Sequence, residues 1–368
     1  MRYPQWLKKS VPKSANNLRI RQYLDASVQT VCESALCPNR GECFAKKTVT
    51  FLILGDVCTR NCTFCAVTKA IPRPPDTAEP EKVAEAAQKL GLRHAVVTSV
   101  TRDDLPDGGA EYFVKTIQAI RRTLPGIAVE VLTPDFQGNI SALDAVLAAR
   151  PDVFNHNIET VPRLYPSVRP QADYQRSLKI LRSAAGSGVL TKSGMMLGLG
   201  ETAAEIKSVL QDLQACGVAI VTLGQYLAPS KNHYPVREFI HPDKFAEYKV
   251  YGEKELGFKN VFAGPFVRSS YRAGEVYGAA GDGKKTLSEN ELPVHTHGVN
   301  DPGHSHNPST NFYVAGSGVT PTCQVGPGMT GQNIHSSQTN ISIHNAGQGN
   351  AFDVIPAFYT VVYIIKVK

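Results

Sequence analysis

The sequence predicts an α/β chain, because between residues 48 and 227 six strand-like apolar runs alternate with amphipathic helical stretches, the signature of a parallel sheet with helices outside. Six βα units fall short of the eight that close a barrel, so the expected architecture is an open, partial (β/α)6 barrel. A third observation adds a second part. Beyond residue 278 the composition changes to Gly, Asn, Ser, Thr and His with few charges, which predicts a small β-rich, Gly/Asn/His-rich domain.

Taken in order, a basic N-terminal arm leads to a helical segment expected over 18–31 and then to the cysteine group Cys32-Glu-Ser-Ala-Leu-Cys37-Pro-Asn-Arg-Gly-Glu-Cys43. Strands are expected over 48–54, 94–100, 127–133, 153–158, 192–197 and 219–227. Helices fill the intervals at 79–90, 110–124, 140–149, 174–185 and 203–216. The division that follows is 1–47 for the arm and first cysteine group, 48–278 for the barrel and 279–368 for the tail.

Charge supports that boundary. Residues 1–278 carry 35 Lys+Arg against 27 Asp+Glu, whereas 279–368 carry 4 against 5, no arginine, and six of the ten histidines. The basic surplus of the first part is spread out, without Lys/Arg runs or interleaved aromatics, which argues against nucleic acid as a partner. No apolar run reaches membrane-spanning length, and Met1-Arg-Tyr-Pro-Gln-Trp-Leu-Lys-Lys9 has no apolar leader. A cytoplasmic protein without membrane attachment is expected.

The densest chemistry is Cys58-Thr-Arg-Asn-Cys62-Thr-Phe-Cys65, directly after the first strand. Three thiolates from one tight loop hold three irons of a [4Fe-4S] cube and leave the fourth iron open, since closing a cube by protein alone takes four ligands. Zinc sites usually show paired C-x2-C halves a dozen or more residues apart, and a disulfide framework needs an oxidising compartment. Neither fits well. A second triplet, Cys32, Cys37 and Cys43, lies within thirty-five residues of the first; thiols this dense are rarely core filler, and a second cluster is expected. Cys216 sits at an apolar helical position and reads as core, while Cys323 has no evident partner.

Polar residues gather where the predicted strands end, the side on which such barrels place their chemistry. They include Thr101–Asp104 and Asp107-Gly108-Gly109, then Glu130 and Asp135, Asn155–Glu159, Gly198–Glu201 and Gln225–Ser230. Each alone has a plain explanation as a turn or a helix cap. Gly198-Leu-Gly200 is a weak phosphate signal, lacking the third glycine of a dinucleotide loop. Asp107, Gly108, Gly109, Asn157, Glu159 and Lys192 are the candidates for holding a cofactor at these strand ends.

The C-x3-C-x2-C loop resembles that of the radical S-adenosylmethionine enzymes. With the C-x4-C-x5-C group, Thr-Ser-Val-x-Arg-Asp-Asp-Leu-x-Asp-Gly-Gly (98–109), Phe-Asn-His-Asn-Ile-Glu-Thr-Val (154–161), Gly-Leu-Gly-Glu-Thr (198–202), Thr-Leu-Gly-Gln-Tyr-Leu (222–227) and Arg-Ser-Ser-Tyr (268–271), the chain over about 3–277 is similar to the lipoyl synthase family. The resemblance implies a radical-SAM barrel and an enzyme, a sulfurtransferase that inserts sulfur at C6 and C8 of an octanoyl-lysine on a carrier protein. It implies two [4Fe-4S] clusters. Cys58, Cys62 and Cys65 would hold the one that binds S-adenosylmethionine, and Cys32, Cys37, Cys43 and Ser270, with Ser269 as the adjacent alternative, the one that supplies sulfur. An electron donor such as ferredoxin or flavodoxin is implied as a further partner.

The tail departs from that family. Its Val-His295-Thr-His297 and Gly-His304-Ser-His306 pairs and its closing strand-like run, 355–367, resemble the tips of phage tail fibres and tail-collar proteins. In an extended chain, residues i and i+2 point to one side, so three chains about a threefold axis would offer six imidazoles per pair, an octahedral set suited to iron or another transition metal. A homotrimer and a metal on His295, His297, His304 and His306 are the corresponding expectations. The rival function is a trimeric receptor-binding fibre tip joined to a non-functional enzyme.

Overall fold

The computed structural model describes residues 3–8, 24, 28–45 and 48–280. Strands β1 (Gln29–Thr30), β2 (Thr50–Ile53), β3 (Val57–Cys58), β4 (Thr68–Lys69), β5 (His94–Ser99), β6 (Ala128–Leu132), β7 (Val153–Asn155), β8 (Leu190–Leu197), β9 (Ile220–Gln225) and β10 (Asn260–Gly264) succeed one another. Eight form one sheet in the order β1-β2-β5-β6-β7-β8-β9-β10, open at both edges among the described residues. Only β1 is antiparallel to its neighbour; β2 through β10 are parallel. The separate pair β3 and β4, in register Cys58↔Lys69, closes the ends of the Cys58–Cys65 loop.

Helices α1 (Val31–Ser34) and α2 (Arg40–Ala45) precede the barrel; α3 (Glu79–Leu90), α4 (Ala110–Thr123), α5 (Ile140–Ala148), α6 (Tyr165–Val168), α7 (Tyr174–Gly186), α8 (Ala203–Ala215) and α9 (Pro242–Val250) lie between its strands, and α10 (Ala273–Ala280) follows. The ends of these helices are written in the sequence. α3 has Pro80 in its first turn and stops at Gly91, whose φ of 63° only glycine adopts without cost. α7 starts on Asp173, which accepts from the Arg176 amide, and α8 on a capping box between Thr202 and Glu205.

The expected strands and helices between 48 and 227 are all present, with ends within about two residues except β7, which stops at Asn155. Of the helix expected over 18–31, only residues 24 and 28–31 are described, and they are not helical before Val31. Among its described residues, Gln29 and Thr30 pair with Leu52 and Phe51, because the edge of β2 offers unpaired backbone groups that a short strand satisfies. Helix starts only at Val31.

Side chains alternate across each strand. Ala95, Val97, Val129 and Val131 point outward into the packing against α3 to α5. Glu130, Asn155 and Lys192 point into the lumen, where they meet one another. Below that polar layer, Ile220 and Val276 of α10 form an apolar seal, and Tyr277 lies 5.6 Å from the His94 ring. α10 runs through the boundary expected at 278 to Ala280.

Candidate functional site

At the carboxyl ends of the strands the lumen opens into a cavity of about 530 Å³. All six cysteines of the two triplets line it, as do Asn157, Glu159, Ser269 and Ser270. Each of the six is a free thiol. Burial pushes the Cys32 and Cys65 thiols up to about 11 and raises Cys62 as well, so these thiols are protonated at neutral pH until a metal takes the proton's place.

The loop of Cys58, Cys62 and Cys65 is held on every side. Arg60, 4% exposed, reaches Asp103 at 2.6 Å and Asp135 at 2.5 Å, beyond the ends of β5 and β6. Burial opposes the charges, yet Arg60 holds the Asp135 carboxyl at about 2. Thr59 bonds Thr101 through backbone and hydroxyl, the Thr63 amide donates to Val168, and the His233 ring meets the Cys65 carbonyl at 3.2 Å. Glu79 fixes the approach: its carboxylate accepts from the amides of Leu54, at 2.6 Å, and Gly55, at 3.3 Å.

Beside Cys62 lies Arg169, 8% exposed, its Nη1 donating to the carbonyls of Asn157 and Ile158 while its Nε has no partner. Burial opposes its charge, but Tyr165, Glu159 and Cys62 raise its affinity for the proton. Burial raises the Glu159 carboxyl, and its backbone is left-handed, φ 63°, strain of a kind that collects at functional sites. Asn157 donates to Glu159 at 3.1 Å and to Ser269 at 2.7 Å, leaving its Oδ1 buried and unpartnered. The serine motif faces both triplets, since Arg268, Ser269, Ser270 and Tyr271 line the same cavity as all six cysteines. Asn39 Nδ2 donates to the Phe266 carbonyl at 2.6 Å.

This donor set suits a cube better than a single ion. The thiols are grouped in threes around one cavity, and a four-iron cube spreads its thiolates over different irons. The arginines supply the positive charge that clustered thiolates need, and the unpartnered Asn157 Oδ1 and Arg169 Nε are the polar atoms a bound cofactor would satisfy.

Four predicted residues are placed elsewhere. Asp107, Gly108 and Gly109 are absent from the cavity wall. The Asp107 carboxylate accepts from the amides of Gly109 and Glu111 and so caps α4. Gly109 is required by packing, since a Cβ there would lie 2.3 Å from Leu54 Cδ1. Lys192 is fully buried beneath the cavity, its Nζ 2.8 Å from Glu130; burial opposes ionisation of that carboxyl, but Lys192 and His94 hold it below its ordinary value. The Gly198–Glu201 loop is self-satisfied, the Glu201 carboxylate accepting from the amides of Gly198 and Leu199, which leaves no phosphate cradle. Arg60, Arg169 and His156 are not among the predicted site residues; the signals they carry in the sequence are an arginine between Cys58 and Cys62, an arginine before Pro170 and a histidine between Asn155 and Asn157. Cys216 is buried in the core against α8, as expected. His295, His297, His304, His306 and Cys323 lie outside the described residues.

Residues 52–213 match the family model for the Radical SAM superfamily. The lipoyl synthase of Rubrobacter xylanophilus is 57% identical over 275 residues, 74% of this chain and 85% of that protein. That of Caldanaerobacter subterraneus is 55% identical over 276 residues, 74% of this chain and 96% of that protein, and that of Nitratidesulfovibrio vulgaris 51% identical over 280, 76% and 94%. These relatives account for the N-terminal ~74% of the chain, and the fibre-tip resemblance of the tail finds no support in them. No helix among the described residues is long and apolar enough to cross a membrane.

Proposed function

The chain belongs to the lipoyl synthase family, and on that premise we propose that it inserts two sulfur atoms, at C6 and C8, into an octanoyl group carried on a lysine of a lipoyl-carrier protein. The observation that carries this reading is the meeting of both cysteine triplets and the paired serines on one cavity. Cys58, Cys62 and Cys65 would hold a [4Fe-4S] cluster with an iron left for S-adenosylmethionine; Cys32, Cys37, Cys43 and Ser270 would hold a second, with Ser269 beside it. Bound there, with an electron from a donor such as ferredoxin or flavodoxin, the groups supply the carbon radical that unactivated C–H bonds require and the sulfur that replaces hydrogen.

The chain's own residues bind, orient and shield. Leu52, Val100, Leu132, Met195 and Met196 line the cavity with apolar surface that accepts an acyl chain and keeps water from a radical. Asn157 and Glu159, with Arg169 beside them, offer hydrogen bonds and charge to the polar parts of S-adenosylmethionine. Arg60 anchors the thiolate loop. Barrel and tail are taken to divide just beyond α10.

The test is anaerobic reconstitution of the full chain with iron and sulfide, followed by assay with an octanoyl-lysyl peptide. About eight irons and eight sulfides per chain, with lipoyl product, are expected. About four, with S-adenosylmethionine cleaved and no sulfur inserted, would remove the second site from the proposal. Glu159→Ala is expected to weaken S-adenosylmethionine binding, and unchanged affinity would withdraw its assigned role.

A further inference from the structure

The segment that carries the serines is tied down on two sides. On the barrel side Asn157 donates to Ser269 at 2.7 Å, and the backbone lies so close to β9 that a Cβ on Gly224 would meet the Val267 carbonyl at 2.0 Å. On the other side the Glu42 carboxylate accepts from the Tyr271 hydroxyl at 2.8 Å and from Arg272 Nη2 at 3.4 Å. Glu42 lies on α2, one residue before Cys43, and Tyr271 comes one residue after Ser270. The contact therefore joins two points each a single residue from a proposed ligand of the second cluster. It also holds a strained backbone, since Arg272 is left-handed with φ 53°.

We infer that Glu42 is a positioning residue for the second cluster: through Tyr271 and Arg272 it sets the register between the serine segment and the helix that carries Cys43. The inference rests on the two-cluster reading above. A hydrogen bond to a charged acceptor holds geometry more strongly than one between neutral groups, and a cluster that yields sulfur to substrate needs a ligand that stays in place until the reaction calls on it. The helix α2 has only six residues, too short to hold its own position, so its register comes from what it touches.

The test uses the reconstituted full chain, unvaried and as Glu42→Ala, Glu42→Gln, Tyr271→Phe and the Glu42→Ala/Tyr271→Phe double variant. Cleavage of S-adenosylmethionine should stay within about twofold throughout, while sulfur inserted per cleavage falls about tenfold in Glu42→Ala and Tyr271→Phe, the scale of one lost charged hydrogen bond. The double variant should be no worse than Glu42→Ala, because that change already takes the acceptor from Tyr271, whereas Tyr271→Phe alone leaves the Arg272 contact. Glu42→Gln, which still accepts from Tyr271, should recover most of the loss. Mössbauer spectra of 57Fe protein supply a readout apart from activity: the distinct iron with an oxygen ligand should be lost in Glu42→Ala and kept in Glu42→Gln. Unchanged insertion, additive losses, or cleavage falling in step with insertion would overturn the inference. An unvaried chain without a second cluster would overturn the underlying reading and this inference with it, whereas an active unvaried chain with unaffected variants would overturn the positioning role alone.

Discussion

The two cysteine triplets face one cavity but are built on opposite plans. Cys58, Cys62 and Cys65 sit on a loop bonded along its length to the segments after β5 and β6, to α6 and to His233, with Arg60 buried as the central tie. Cys32 and Cys43 ride on α1 and α2, helices of four and six residues, with Cys37 on the turn between them; this part is joined to the barrel through β1, Asn39, Glu42 and the 266–272 segment. The difference matches the proposed division of labour. A cluster that returns unchanged after each electron needs a rigid seat, and one that gives up sulfur needs a seat that opens.

The largest expected effects separate the triplets outright. Cys58→Ala should abolish 5′-deoxyadenosine formation, leaving less than about 1% of it, because a cube short of a ligand loses its reactive iron. Cys37→Ala should leave that cleavage within a few-fold and abolish lipoyl product. Measuring both products in the two variants would break the comparison if Cys37→Ala stopped cleavage as well.

Next in size is Arg60→Leu. It leaves Asp135 buried and short of a partner, with Arg176 at 3.3 Å as the remaining cation, and removal of one member of a buried ion pair costs about 3–5 kcal/mol. Urea denaturation of the metal-free protein should show that loss. After reconstitution the variant should hold about half the iron of the unvaried chain, since one of two clusters goes. Equal loss from both clusters would mean that Arg60 supports the barrel rather than the loop.

Much of this was legible in the chain. Alternation of apolar runs placed the strands, and spacing alone picked out all six thiols that line the cavity, because ligand sets from short loops are local in sequence. What depends on the third dimension was not legible. Asp107-Gly-Gly109 looked like a cofactor loop and is a helix cap packed on Leu54; Lys192 looked like a ligand at a strand's mouth and points down to Glu130. Lys192 opens the strand expected over 192–197, the end away from the cavity, and only the length of its side chain brings the strand's mouth within reach. Arg169 was silent because it too depends on the third dimension, its partners lying at 157, 158 and 165.

A smaller effect concerns pH. His156 is buried, its Nδ1 bonded to the Thr133 carbonyl and its Nε2 to Ser177 Oγ, and burial, then Arg169, lower its proton affinity to about 4 from 6.5. A base held neutral in the fold protonates more readily when unfolded. Its contribution is therefore complete above pH 6.5 and is lost as pH falls toward 4, about 3 kcal/mol in all. Asp135, Arg60 and Arg169 are its charged neighbours, all on the side of the first triplet. Urea midpoints of the metal-free protein from pH 7 to 4 should fall more steeply for the unvaried chain than for His156→Gln, and parallel curves would remove His156 from the account.

The smallest expected effect is none. α10 ends at Ala280 with Val276 sealed in the lumen beside Ile220, and Asn157, Glu42 and Asn39 hold the serine segment from within the barrel part. Relatives at 51–57% identity match the N-terminal ~74% of the chain. A chain ending at Gly283 should thus keep both activities within about twofold, with the same urea midpoint within about 0.5 kcal/mol, the usual reach of changes away from a packed core. A loss of sulfur insertion with cleavage intact would show that the tail bears on the second triplet and would extend its proposed support beyond Asn39, Glu42, Tyr271 and Arg272 to residues after 283. A gain would show that the tail restrains the same segment.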